Sequence, residues 1–73
     1  MSDVRDRVRA LLREHVTISD DDLAPMEIES FTLVVVMEDL EVAFGIRVAA
    51  RDATREHFGS VAKVCAYVEG KLR

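Results

Sequence analysis

Apolar and charged residues alternate along the first part of the chain with the period of an α-helix. The apolar side chains recur at spacings of three and four residues, which places them on one face of a helix. The residues on this face are Val4, Val8, Leu11, Leu12 and His15. The pattern predicts a first helix from Asp3 to about His15. The acidic, proline-containing stretch from Val16 to Glu29 is too irregular for a long element and predicts a connection.

A second apolar stripe predicts a helix from Ser30 to about Phe44. Its members are Val34, Met37, Leu40 and Phe44, with Val36 beside them. The β-branched residues at the start of this segment would suit a strand equally well. The stripe nevertheless continues at helical spacing to its end, which favours a helix. Gly45 then stands where a C-terminal glycine cap belongs.

The C-terminal third of the chain predicts one short and one longer helix. A single helical turn is expected near Asp52 to His57, and Ser60 is a suitable N-cap for the last helix. The apolar stripe after this cap is Val61, Val64, Cys65, Val68 and Leu72. Amphipathic helices with short apolar faces must bury those faces against one another. We therefore expect residues 1–73 to form one all-α domain, a small four-helix bundle of three longer helices and one short helix.

The composition indicates the cellular compartment in which such a domain is expected to work. The chain has 73 residues and one cysteine, Cys65, so an internal disulfide is impossible. The N-terminus is charged throughout and does not resemble a signal peptide. The longest apolar run is far shorter than the roughly 20 residues that span a bilayer. We expect a soluble protein of the reducing cytoplasm with no membrane association.

The net charge of −4 hides an uneven distribution of charged residues along the chain. The segment from Glu14 to Ile46 contains nine Asp and Glu residues and no Lys or Arg. Outside this segment, ten Lys and Arg residues stand against five acidic ones. An acidic centre argues against nucleic-acid binding and favours partners with a basic surface. The alternative is a solvated acidic face that serves solubility alone.

The sequence does not assemble a catalytic or metal-binding constellation. Cys65 lies on the apolar stripe of the last helix and is interpreted as a buried structural thiol. His15 ends the first apolar face, and His57 lies in a basic segment. Neither has a partner at the four-residue spacing of a helical metal pair. We interpret them as a histidine at the core edge and a surface histidine, and we predict no metal site.

The run of three aspartates from Asp20 to Asp22 suggests a calcium-binding loop. Such a loop needs glycine at its sixth position and a bidentate glutamate at its twelfth. Counting from Asp20, these positions hold Pro25 and Phe31. The calcium interpretation therefore fails at both.

Ser30 is the remaining candidate, and two interpretations of it stay open. Its hydroxyl can cap the second helix by accepting a hydrogen bond from a backbone N–H of the first turn. Alternatively, the exposed N–H groups and positive dipole end of the helix favour an attached phosphate. Phe31 and Val35 are expected to form an outward-facing apolar patch beside it, and such patches usually bind a partner.

Together these residues resemble the acyl and peptidyl carrier protein family. That family shows an acidic residue, a serine and a hydrophobic residue at the start of a helix, which here are Glu29, Ser30 and Phe31. The helix closes with "FGI", and the stretch "REHFGSVAKVCAYVEGKL" is similar to the family's last loop and fourth helix. The similarity covers essentially the whole chain. Other positions that match are Val34, Met37, Leu40 and Glu41.

The resemblance implies an acyl-carrier-protein-like bundle in which Ser30 receives 4′-phosphopantetheine from coenzyme A. A separate phosphopantetheinyl transferase and Mg²⁺ would perform this transfer. The thiol of the arm would then carry an acyl or aminoacyl group as a thioester. On this interpretation the protein is not an enzyme. It would act as a monomer that visits an acyl- or aminoacyl-activating ligase or adenylation enzyme, and then downstream acyltransferases or condensing enzymes.

Departures from the family pattern favour one branch of it. Glu29 replaces the usual aspartate, and Glu27 and Ile28 stand where glycine is frequent. Val35 and Val42 replace acids that are typical of fatty-acid carriers. We therefore expect a free-standing carrier of secondary metabolism or an aminoacyl pathway. The alternatives are a primary fatty-acid carrier and an unmodified helical interaction module.

The resemblance also implies that partner enzymes contact the second helix. The residues expected to be recognised are Glu29, Phe31, Val35, Glu38, Asp39 and Glu41.

Overall fold

A computed structural model describes residues 3–73, with Asp3 described by its backbone alone. The helices are α1 (Asp3–Arg13), α2 (Ser30–Phe44), α3 (Arg55–Phe58) and α4 (Val61–Leu72), and a 3₁₀ turn (Ala50–Asp52) precedes α3. No strand occurs among the described residues. The structure confirms the prediction of an all-α fold, a small bundle of three longer helices and one short helix. Within residues 3–73, none of the helices combines the length and apolarity needed to cross a membrane.

The first helix ends two residues earlier than the pattern predicted. It ends at Arg13, and the backbone then tightens into a turn instead of continuing to His15. The His15 N–H donates to the carbonyl of Leu12 at 3.0 Å, three residues back, as in a 3₁₀ turn. This tight turn satisfies carbonyl groups that the end of the helix would otherwise leave without partners.

One apolar core connects the helices. α4 packs against α1, α2 and α3, and α2 packs against α1. The buried apolar side chains come from all four helices, and they are Val8, Leu12, Val36, Met37, Leu40, Phe58, Val61, Val64 and Val68. Since Leu12 and Leu40 are completely inaccessible, the centre of the bundle is closed to solvent.

The face of α2 that enters this core differs from the predicted one. Val36, Met37 and Leu40 are buried, and Leu33 packs against them. Val34 was assigned to the core but is 52% exposed, so that assignment is wrong. The reason is that residues 33–37 are all apolar. An uninterrupted apolar run does not show which of its residues turns inward.

The C-terminal end of α2 is closed by several contacts. Gly45 adopts the left-handed conformation (φ 65°), and its N–H donates to the carbonyl of Glu41 at 2.8 Å, which confirms the predicted cap. The Glu41 side chain accepts a hydrogen bond from the Val48 N–H at 2.8 Å. Arg7 of α1 donates to the Ala43 carbonyl, and its guanidinium lies 4.3 Å from the centre of the Phe44 ring. The positive charge of Arg7 is attracted both to the Phe44 ring and to the negative end of the α2 dipole.

Asp22 fixes the long connection between α1 and α2. Its carboxylate accepts hydrogen bonds from Arg5 Nε at 2.5 Å and from Arg9 Nη1 at 2.6 Å. Its backbone carbonyl accepts the N–H of Ala62, at the start of α4, at 2.9 Å. Arg9 is buried, so its charge depends on this partner. The hydrogen bond from Arg5 is the main cause that lowers the pKa of Asp22 below its usual value.

We expect Asp22→Asn to lower the melting temperature at neutral pH, because Arg9 would lose its charged partner in a buried position. A lowered carboxyl pKa contributes stability above the unfolded value of 3.8, and this contribution is lost as the pH falls through the folded pKa. The difference in melting temperature between wild type and Asp22→Asn should therefore shrink below about pH 3.8. Thermal unfolding followed by circular dichroism between pH 2 and 7 measures it.

Asp20→Asn is the matched control for this measurement. Its carboxylate is fully exposed and lies 4.0 Å from Arg9, so its replacement should change little. Equal losses in Asp20→Asn and Asp22→Asn would contradict a specific role for the Asp22 carboxylate.

Candidate functional site

Ser30 is the first residue of α2, and its side chain is exposed. The N-cap position belongs to Glu29, whose backbone is extended (φ −68°, ψ 159°) and whose carbonyl accepts the Leu33 N–H at 2.8 Å. The interpretation of Ser30 as the cap is therefore wrong by one residue. Within residues 3–73, no hydrogen-bond partner holds the Ser30 hydroxyl. Ser30 is thus an exposed residue whose hydroxyl has no structural role in capping the helix.

The backbone around Ser30 favours a negatively charged group. The first N–H groups of a helix have no partner within the helix, and the dipole places partial positive charge there. No side chain of the described chain caps these groups, since Glu29 makes no capping hydrogen bond. The Glu29 carboxylate instead lies 3.4 Å from the Thr32 hydroxyl. A phosphate on Ser30 would meet unoccupied donors at this end of α2.

An open groove of about 520 Å³ lies beside Ser30. Residues 26–30 and Leu33 form one wall, and residues 53–55 with Phe58 form the other. At its rim, Glu27 and Arg55 form an exposed ion pair at 3.5 Å. The groove is therefore lined partly by apolar residues, it carries an exposed pair of opposite charges, and Ser30 is part of its lining.

One backbone hydrogen bond and one close backbone approach shape the walls of this groove. The Met26 N–H donates to the Gly59 carbonyl at 2.8 Å, which joins the connection before α2 to the end of α3. A Cβ atom on Gly59 would approach the Arg55 carbonyl oxygen to 2.5 Å. A side chain at this position would force α3 to shift, so the wall requires glycine here.

An exposed apolar stripe runs along α2 from the same end. Phe31 is 75% exposed, Val34 is 52% exposed and Val42 is 85% exposed. Together with Glu38, these residues follow spacings of three and four, so they share the outer face of the helix. Sequence reasoning found Phe31 but placed Val34 in the core. Val35, which was expected to face outward, is half-buried.

Besides the half-buried Val35, the predicted recognition residues fall into two groups. Glu29, Phe31 and Glu38 are exposed. Asp39 and Glu41 are half-buried and contact other parts of the chain, because Asp39 Oδ2 lies 2.6 Å from His15 Nε2 and Glu41 accepts the Val48 N–H. A partner enzyme would therefore meet the first group directly. Recognition of any of these residues stays a prediction.

The other chemically reactive side chains lie away from Ser30. Cys65 is half-buried on α4, and burial raises the pKa of its thiol. His57 is half-buried against Tyr67, with ring centres 4.8 Å apart, so it is less exposed than predicted. Tyr67 donates to Asp52 at 2.6 Å, and desolvation with this hydrogen bond raises the pKa of Tyr67 to about 12. His57 and Tyr67 pack α3 against α4, and none of these side chains lines the groove.

Comparisons with known proteins add no information about the function of this chain. A scan against models of protein families, a search of curated proteins and a search of solved structures each found no match for this chain. Any functional conclusion therefore depends on the residues and their geometry.

Ser30→Ala and Ser60→Ala form a matched pair that tests the position of the caps. Ser60 Oγ accepts the Lys63 N–H at 3.2 Å, so Ser60→Ala should cost about 1 kcal/mol of the free energy of unfolding. Ser30→Ala replaces an exposed side chain without a partner and should stay within about 0.5 kcal/mol of wild type. Urea denaturation measures both. A loss at Ser30 equal to that at Ser60 would show that Ser30 does cap α2.

Proposed function

We propose that this protein is a free-standing carrier protein that bears a 4′-phosphopantetheine arm on Ser30. The arm would hold an acyl or aminoacyl group as a thioester and present it to partner enzymes. The observation that carries this proposal is the exposed Ser30 hydroxyl at the first residue of α2, without a hydrogen-bond partner among the described residues. The residues around it are those in which the sequence resembles the carrier family.

The surroundings of Ser30 suit the proposed modification. A phosphodiester there would lie at the positive end of a 15-residue helix with uncapped N–H groups. The adjacent groove offers an apolar wall to the arm and opens to solvent. An arm that lies along this groove remains accessible to enzymes. Tethering raises the effective concentration of the cargo at each enzyme without new binding contacts.

The exposed stripe of α2 supports a role in binding partner enzymes. Phe31 and Val34 provide apolar contact area close to Ser30, and Glu29 and Glu38 add negative charge beside them. A partner with an apolar pocket and a basic rim would complement this surface. The proposed partners are a phosphopantetheinyl transferase, an acyl- or aminoacyl-activating ligase or adenylation enzyme, and downstream acyltransferases or condensing enzymes. The apolar Val42 on the same face favours secondary metabolism over a primary fatty-acid carrier.

A second candidate is an unmodified helical interaction module. Its support is the same apolar stripe on α2, because exposed apolar patches usually mark binding surfaces. The two candidates differ in whether Ser30 is chemically modified.

Incubation of the purified chain with a promiscuous phosphopantetheinyl transferase, coenzyme A and Mg²⁺ tests the proposal. We expect the intact mass to increase by one phosphopantetheine in the wild type and in Ser60→Ala, and to stay unchanged in Ser30→Ala. Circular dichroism should show the same helical content in Ser30→Ala as in wild type. A folded wild type that gains no mass would favour the interaction module, and loading of Ser30→Ala would show that Ser30 is not the site.

Phe31→Ala should slow this loading without destabilising the fold. Phe31 is 75% exposed and follows the modified serine directly, so the transferase must contact it. Loss of a central aromatic contact typically costs 1 kcal/mol or more, so we expect kcat/KM for loading to fall about tenfold. Leu23→Ala is the matched control, because Leu23 is 78% exposed but lies outside α2 and the groove. Equal effects of both substitutions, or none from Phe31→Ala, would contradict this role.

A further inference from the structure

Three side chains with metal-ligand atoms meet where the end of α1 lies beside α2. They are Glu14, His15 and Asp39, and one ligand atom from each lies within 4.8 Å of the others. The shortest separation is 2.6 Å, between His15 Nε2 and Asp39 Oδ2. This cluster lies outside the groove beside Ser30.

The fold explains why these residues converge. The tight turn after α1 places Glu14 and His15 next to each other just beyond the helix, with the backbone held by bonds to Leu11 and Leu12. Asp39 reaches the turn from α2, one residue before the buried Leu40. Burial of Leu12 and Leu40 on both sides therefore holds the turn and the helix at a constant distance.

We propose that Glu14, His15 and Asp39 form a binding site for a divalent first-row transition metal, with Zn²⁺ as its best fit. Zinc takes nitrogen and carboxylate oxygen ligands at about 2.0–2.2 Å in a tetrahedral arrangement, in which neighbouring ligand atoms lie about 3.4 Å apart. The three ligand atoms already lie within 4.8 Å of one another. Binding would require side-chain rotation that opens the 2.6 Å separation between His15 and Asp39 to this spacing, and a water molecule would complete the coordination.

The chemistry of the ligands selects this class of metal. An imidazole nitrogen suits Zn²⁺ and its neighbours, whereas Ca²⁺ and Mg²⁺ prefer six or more oxygen ligands. Two carboxylates balance the charge of a divalent ion. The negative end of the α1 dipole adds to the attraction, since the site lies at the C-terminal end of that helix.

The three ligands differ in solvent exposure, and the most exposed one leaves a path by which a metal ion could enter. The His15 side chain is 19% exposed and the Asp39 side chain is 42% exposed, whereas Glu14 faces solvent. A metal ion would enter past Glu14 and bind His15 and Asp39 in place of their mutual hydrogen bond, and the proton of that bond would pass to solvent. It would link α1 to α2 in a domain without a disulfide. Because the metal binds the folded arrangement, it should raise the melting temperature.

Isothermal titration of the tag-free protein with Zn²⁺ alone tests the proposal. We expect saturable binding of one equivalent in the wild type and an increase in melting temperature on zinc addition. Loss of a residue that only hydrogen-bonds to a metal ligand already weakens metal binding by about 10–100-fold, so loss of a direct ligand should weaken it at least about tenfold. Glu14→Gln is the decisive variant, because it removes a ligand while the His15–Asp39 contact remains. His15→Gln should abolish the thermal shift.

Control variants separate this site from other side chains that could bind zinc and from the carrier site. His57→Gln, Cys65→Ala and Ser30→Ala should keep wild-type zinc affinity, and Ser30→Ala also makes the result independent of any arm. Wild-type affinity in Glu14→Gln and His15→Gln would overturn the proposal, as would loss of binding in His57→Gln or Cys65→Ala. A wild type without saturable binding at micromolar zinc would equally overturn it and leave His15 and Asp39 as a structural pair.

Discussion

The ionic contact between Asp22 and the arginines of α1 fixes the connection that leads to the second helix. The connection between α1 and α2 has no regular structure, and connections of this length are usually mobile or functional. Asp22 attaches it to α1 through Arg5 and Arg9 and to α4 through the Ala62 N–H. Met26 then bonds to the Gly59 carbonyl. Ser30 follows four residues later, so the location of the candidate site depends on this chain of contacts.

The sequence predicted the helices well where a residue marks a boundary. Gly45 and Ser60 are such markers, and the structure confirms both as caps. It predicted the packing less well where no polar residue interrupts an apolar run, which is why Val34 was misplaced. The role of Asp22 was not predictable, because its partners lie 13 and 17 residues away and pairing over such distances depends on the tertiary fold.

The candidate site was likewise predictable from the sequence only in part. The exposure of Ser30 at the start of a helix followed from the sequence, but the cap belongs to Glu29, because two adjacent polar residues leave the boundary uncertain by one position. The cluster of Glu14, His15 and Asp39 was missed. A search for ligands four residues apart on one helix does not find ligands that two elements supply together.

The two ends of α2 differ in how firmly they are bound to the rest of the protein. Gly45, Glu41 and Arg7 hold the C-terminal end, whereas the N-terminal end has no side-chain cap among the described residues. A negatively charged group attached at the N-terminal end would displace no structural contact, and it would interact with the positive end of the helix only in the folded protein. Its attachment would then be coupled to folding. A carrier built in this way would be more stable with its phosphate attached than without it.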